Sequence, residues 1–207
     1  MSTVVSYLPG VSAGNASESE IKRVFDRQRD TALRLRTSTA EERITKIRKL
    51  HDAVMAHREQ IHEAAYKDFK KPPAEVDLAE VLPVISEAKH AIRSLKKWMK
   101  PKGVWPTSLT IGLKSWVQYE PKGRCLIIAP WNYPVNLALV PLVSAIAAGN
   151  HVYLKPSEHT PRTGAWLRQL LADVFPPDRV AVALGGAEVG AAFAALPFDH
   201  LLFTGST

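Results

Sequence analysis

Apolar positions recur at helical spacing through the first half of the chain. Ile21, Val24, Gln28, Ala32 and Leu35 share one stripe, and Ile44, Ile47, Leu50, Val54, Ile61 and Ala65 share a second. Leu78, Val81, Ile85, Ala88, Ile92, Leu95 and Met99 form a third, so three long amphipathic helices are predicted. Thr39 ahead of Glu41 and Glu42 reads as the N-cap of the second helix. Pro72 and Pro73 end that helix, Ala74 and Glu75 open the third, and Pro101, Gly103 and Pro106 stop it. From Ser108 to Tyr119 the β-formers Leu109, Ile111, Leu113, Trp116, Val117 and Tyr119 surround Gly112, which predicts a hairpin or an extended arm.

Beyond Pro121-Lys122-Gly123 the period changes. Cys125 to Ala129, His151 to Lys155, Val180 to Leu184 and His200 to Phe203 are short apolar runs that read as strands. Helical runs lie between them: Val135 to Ala148, closed by Gly149-Asn150, then Arg162 to Val174, then the small-residue run Gly186 to Ala195. Strands alternating with crossover helices imply an α/β fold with a doubly wound, Rossmann-like parallel sheet whose ligand site lies at the carboxyl ends of the strands. The chain thus divides into an amino-terminal helical part (1–107), a β arm (108–120) and a βαβ core (121–207).

At 207 residues, with 46% hydrophobic and 23% charged positions, the composition is that of a globular protein and excludes global disorder. The net charge of +7 comes almost wholly from the part before Glu120. Lys89, Arg93, Lys96, Lys97, Lys100 and Lys102, with Trp98 and Trp105 nearby, raise the question of a nucleic-acid or membrane surface. The preferred reading is a solvated helix face, carrying Glu80 and Glu87 as well, with its aromatic residues packed inward and neither partner bound. Cys125 to Asn150 has no charged residue or histidine and is long enough to span a bilayer, but Pro130, Asn132, Pro134, Asn136 and Pro141 favour a buried strand, turn and helix. One cysteine closes no intramolecular disulfide, and with no leader pattern at Met1 this points to the cytoplasm.

No G-x-G-x-x-G follows any predicted strand. The strand ends carry Pro130-Trp131-Asn132-Tyr133-Pro134, Lys155-Pro156-Ser157-Glu158, Gly185-Gly186 and Phe203-Thr204-Gly205-Ser206-Thr207. An asparagine between two prolines is a rigidly placed amide donor for a developing oxyanion. A lysine and a glutamate three apart suit the adjacent hydroxyls of a ribose, and Gly-Ser-Thr frees N–H groups for a phosphate. Cys125 sits about four residues before its strand end, on the order of 13 Å from that edge, and is read as an inert buried thiol. Gly10-Val11-Ser12-Ala13-Gly14 matches a nucleophile-elbow pattern but precedes the α/β unit, so it is read as chance. His51, His57 and His62 are spaced wrongly for a zinc pair on one helix face and are read as surface or interhelix side chains, leaving no metal site.

In combination, Pro-Trp-Asn-Tyr-Pro, Ala147 to Asn150, Lys-Pro-Ser-Glu and Phe-Thr-Gly-Ser-Thr resemble the aldehyde dehydrogenase superfamily in order and spacing. Lys70-Lys71-Pro72, Glu80-Val81-Leu82-Pro83-Val84, Trp98-Met99-Lys100-Pro101 and Pro197-Phe198-Asp199-His200 look most like its dimeric branch of fatty and coniferyl aldehyde enzymes. The resemblance implies oxidation of a small-molecule aldehyde to a carboxylic acid with NAD or NADP as cofactor, by a homodimer joined through the arm. It implies that Asn132 supplies the side-chain amide of the oxyanion hole and that Trp131 lines the junction of cofactor and substrate. Lys155, Ser157 and Glu158 would hold the adenosine ribose, Gly186 and Gly190 would admit the adenine end, and Phe203, Gly205 and Ser206 would form the nicotinamide and pyrophosphate turn. The family's Glu-Leu-Gly-Gly base segment and Gly-Gln-x-Cys nucleophile loop are not in this chain. The expectation is therefore an incomplete sheet and the amino-terminal part of such an enzyme, inactive alone. The alternative is a truncated, non-catalytic paralogue that binds a nucleotide or a protein.

Overall fold

The computed structural model describes residues 15–205, so the Gly10 to Gly14 pattern, Ser206 and Thr207 lie outside the described residues. Helices α1 (Glu18–Leu35), α2 (Ala40–Ala56), α3 (Arg58–Phe69), α4 (Pro73–Val76) and α5 (Leu82–Trp98) come first. Strands β1 (Lys102–Val104) and β2 (Ser115–Val117) follow as an antiparallel pair. The rest alternates: β3 (Arg124–Ile128), α6 (Asn136–Ala148), β4 (His151–Lys155), α7 (Pro161–Val174), β5 (Val180–Val182), α8 (Ala187–Ala194) and β6 (His200–Phe203). The last four strands form one parallel sheet in the order β5-β4-β3-β6, as the α/β alternation predicts.

Alternate residues of each strand enter two cores. Ile127, Val152, Leu154 and Val180 face the larger core, shared with α2, α3, α5, α6 and α7. Leu126, Tyr153 and Ala181 face a smaller one under α1 and α8. Gln28, on the α1 stripe, is fully buried because its side-chain Nε2 donates to the carbonyl oxygens of Val152 at 3.1 Å and Pro177 at 3.3 Å. Its amide thus joins the helix to the sheet.

Thr39 caps α2 as expected, in a reciprocal box with Glu42. The second apolar stripe does not form one helix. His57 leaves helical geometry at φ −104° and ψ 16°, with its Nδ1 2.6 Å from Gln60 Oε1, so α2 ends there and α3 begins. Helix α3 stops at Lys70 in the left-handed region, ahead of the prolines. The third stripe is interrupted by one wide π turn, Asp77–Val81, in which Leu82 N–H reaches back to the Asp77 carbonyl. One added residue rotates everything before it about the helix axis. Leu78 is therefore 68% exposed, and Glu80 is fully buried instead of solvated. The π turn is pinned to α3 by Asp77, which bonds Arg58 and accepts His62 at 2.8 Å. Arg58, then His62, hold the Asp77 carboxyl down at about 2.

The basic face of α5 is solvated, but the aromatic residues beside it do not pack inward. Trp98 lies against His90 at 5.2 Å and Trp105 is 92% exposed. The β arm is exposed along its length, with Leu109 at 94%, because β1 pairs only with β2. Among the described residues no helix is long and apolar enough to cross a membrane.

The Ala147 to Asn150 motif is a helix terminus. Gly149 adopts φ +86°, Gly149 N–H donates to Ile146 and Asn150 N–H to Ala145. Arg43, buried, donates to the Ala147 carbonyl at 3.1 Å and fills the space that a Gly149 Cβ would occupy, 2.5 Å from its guanidinium carbon. Asn150 Oδ1 then accepts Gly123 N–H, which aligns the start of β3.

Cys125 lies in β3 opposite Val152 and His200, near the amino end of the sheet. Burial, then the charge of Asp199, pushes its thiol up to about 12. Iodoacetamide at about pH 8 is expected to leave it unmodified in the folded chain and to alkylate it in guanidinium; fast labelling of the folded protein would contradict this burial. In urea titrations Leu50→Ala should cost about 2–5 kcal/mol, as for a fully buried leucine. Leu78→Ala should stay within about 0.5 kcal/mol, because the π turn places that side chain in solvent.

Candidate functional site at the carboxyl edge of the sheet

All four predicted strand-end sequences meet at one edge. Lys155, Ile128 and Phe203 stand in register across β4, β3 and β6, so the outer two are about 10 Å apart along the row. Chain order reverses direction between β3 and β6, which makes the crevice beside the Pro130–Pro134 loop the topological switch point. Trp131 and Asn132 are exposed in that loop, the Trp131 ring 6.2 Å from Phe69.

Two residues from the helical layer hold the loop. Lys71 Nζ donates to the Asn132 carbonyl at 2.7 Å and to Glu80 Oε1 at 3.1 Å, and it lies 4.5 Å over the Tyr133 ring and 5.2 Å from the Phe69 ring. Glu80 Oε2 accepts the N–H groups of Val135 at 3.1 Å and Asn136 at 2.9 Å. Asn136 returns a bond from Nδ2 to the Ala79 carbonyl at 2.9 Å. Val135 has no side chain able to cap α6, so Glu80 does so from a distance. Burial pushes the Glu80 carboxyl up; the Asn136 N–H, Lys71 and the Val135 N–H oppose that without cancelling it.

On the neighbouring strand Lys155 is buried and its Nζ donates to Glu158 Oε2 at 3.0 Å. Burial pushes the Glu158 carboxyl up, but its own backbone N–H and the Lys155 ammonium outweigh this and hold it below the usual value. The pair presents a cation with a half-exposed carboxylate. Ser157 Oγ accepts His159 N–H at 3.2 Å, so that hydroxyl shapes the turn. A Cβ built on Gly190 would stand 3.9 Å from Lys155 Cε, in van der Waals contact, so the glycine lets α8 lie close against the lysine. Gly185 at φ +151° turns the chain where any Cβ would strike Val189, and the next residue, Gly186, donates its N–H to Glu188 Oε1 at 3.0 Å. Phe203 is half-exposed at the end of β6, beside exposed Gly205.

In such folds an anion commonly sits at the N-terminus of a crossover helix. Two of those places are already filled by the protein's own carboxylates. Glu80 takes the first N–H groups of α6, and Asp68 takes those of α7, accepting Arg162 N–H at 3.1 Å, Thr163 N–H at 2.8 Å and Thr163 Oγ1 at 2.8 Å. A phosphate brought to either would meet a negative charge. The missing glycine fingerprint after β3 agrees with this, since no close approach of a pyrophosphate is needed there.

Sequence reasoning singled out the strand-end residues and not Lys71, Glu80 or Asp68, which hold the loop and the helix starts beside them. Their signal is faint: a glutamate inside the apolar run Ala79-Glu80-Val81-Leu82, at a position that uninterrupted helical periodicity assigns to solvent. His51, His57 and His62 bond Asp52, Gln60 and Asp77 separately, and no group of metal-ligating side chains gathers among the described residues.

Residues 9–207 match the family model described as the aldehyde dehydrogenase family. A probable coniferyl aldehyde dehydrogenase of Caulobacter vibrioides is 41% identical over 199 residues, covering 94% of this chain and 41% of that one. A coniferyl aldehyde dehydrogenase of Pseudomonas sp. strain HR199 is 35% identical over 202 residues, covering 96% and 41%. The substrate-bound state of Staphylococcus aureus AldH superposes with a TM-score of 0.88 at 35% identity, covering 90% of this chain and 41% of that one. The chain spans about two fifths of the length of the curated relatives it matches. With a strand-and-helix order, a sheet edge and a sequence that all agree over nearly its whole length, the chain belongs to the aldehyde dehydrogenase family.

Proposed function

We propose that these residues form the dinucleotide-binding part of an NAD- or NADP-dependent enzyme that oxidises a hydrophobic aldehyde, of the coniferyl kind, to its acid. The observation that carries this reading is the convergence of the Asn132 loop, the Lys155–Glu158 pair and the Phe203–Gly205 turn on one sheet edge. The donor set suits a nicotinamide dinucleotide. Glu158 accepts from the ribose hydroxyls while Lys155 donates to them, and Ser157 keeps their turn in shape. Gly186 and Gly190 border the adenine end, and Trp131, Phe203 and Gly205 border the nicotinamide and pyrophosphate. When bound, the dinucleotide supplies the hydride acceptor. Asn132 donates its side-chain amide to the aldehyde oxygen as negative charge develops there, which lowers the barrier only if the amide is held in place beforehand. The exposed apolar arm, with Leu109, Ile111 and Leu113, supports its proposed role as the contact of a homodimer.

A second reading is favoured by Cys125. It is the only cysteine in the sequence, and it is buried with its thiol pushed up to about 12, so it is not itself placed to act as a nucleophile. A non-catalytic module that binds a nucleotide accounts for that fact.

In the protein as its natural source makes it, Asn132→Ala should lower kcat for aldehyde by about 10²–10³ while NAD affinity holds. An unchanged kcat would remove the oxyanion role. Calorimetry on the 207-residue chain should show NAD binding without aldehyde-dependent reduction. Glu158→Gln should there narrow any preference for NAD over NADP by about tenfold, because a carboxylate facing a 2′-phosphate is lost. No binding of either dinucleotide would defeat both readings.

A further inference from the structure

The Asn132 loop is held by two groups that are not part of it. The Lys71 ammonium is the meeting point: it bonds the Asn132 carbonyl at 2.7 Å and the buried Glu80 carboxylate at 3.1 Å, and it rests on the ring of Tyr133, the next residue in the loop. The other Glu80 oxygen takes the backbone N–H groups of Val135 and Asn136, where the loop becomes helix α6. The loop is thereby clamped before and after its tightest part. Lys71 is mostly and Glu80 almost wholly out of water, which makes the bond between them geometrically demanding.

A side-chain amide on an exposed loop has several rotamers and a backbone that drifts. A donor that drifts stabilises the developing oxyanion poorly, and a misplacement of about 1 Å at a reacting centre costs on the order of 100-fold in rate. Prolines on both sides restrict φ at two positions of this loop but do not locate it relative to the sheet. The Asn132 carbonyl shares its Cα with that side chain, and Lys71 holds the carbonyl at 2.7 Å.

We propose that Lys71, held by Glu80, is the positioning residue that sets the Asn132 amide for oxyanion stabilisation. Lys71 touches neither aldehyde nor cofactor in this role and acts through Asn132 alone. The proposal rests on the dehydrogenase reading above for its effect on rate, while the clamp itself is independent of that reading.

The test uses the protein as its natural source makes it. Lys71→Met should lower kcat for aldehyde by about 10-fold to 100-fold and change the Kd for NAD less than about twofold. Lys71→Arg, whose fork still spans a carbonyl and a carboxylate, should restore most of that loss. In an Asn132→Ala background Lys71→Met should add nothing further, since the group it positions is gone. A full extra loss there, or a fall in NAD affinity parallel to kcat, would mean a general structural role and overturn the proposal; so would an unchanged kcat.

Amide hydrogen exchange through 130–136 is read on the same variants. Faster exchange in Lys71→Met is expected, with α2 and α5 unchanged; equal exchange would show that no clamp exists. Should the parent protein oxidise no aldehyde, the function proposed above fails, and with it the kinetic role of Lys71. The exchange result then decides the clamp by itself.

Discussion

A carboxylate out of water is costly, and its burial is tolerated only when charge and hydrogen-bond donors surround it. Glu80 meets that condition with one ammonium and two backbone N–H groups, the ammonium from one part of the fold and the N–H pair from another. Lys71 follows α3, Glu80 itself lies in the π turn before α5, and the N–H groups begin α6. The amino-terminal helices are therefore joined to the sheet edge by a polar contact as well as by the apolar surface they share. Removing one partner leaves the others unpaired in a low-dielectric place, so the interaction specifies one docking of the helical layer more than it adds stability.

The same logic governs where an anion can sit. Asp68 and Glu80 reach from the helical layer to the N-termini of α7 and α6 and satisfy N–H groups that would otherwise attract phosphate. Parallel α/β sheets commonly offer their first crossover helix to a dinucleotide; this one has closed it with its own charge. What remains along the edge is the buried lysine with its half-exposed carboxylate and the exposed end of β6. The absence of a glycine fingerprint after β3 fits that arrangement.

The apolar surface is uneven. Two cores absorb both faces of the sheet, whereas the arm and the β6 residues Leu201, Leu202 and Phe203 remain exposed. An arm joined only to itself and a strand paired on one side are both surfaces that gain by being covered. Neither affects the site geometry described above, since Lys155, Ile128 and Phe203 are already in register.

The sequence alone determined the α/β architecture, the Thr39 cap, the Gly149-Asn150 helix end and the family. It also placed the strand-end residues, because apolar period, capping chemistry and strand-end motifs are local properties. Only the structure revealed the break at His57, where a local contact with Gln60 accompanies the end of one helix and the start of another and no glycine or proline announces it. Likewise, no local rule separates Leu78 from Glu80. The π turn exchanges their environments because Asp77 is anchored to Arg58 and His62, and because a buried carboxylate is favourable only with Lys71 and the start of α6 already in place. Those partners are nine to fifty-six residues away along the chain, a separation that periodicity cannot read and folding alone brings to hydrogen-bond distance.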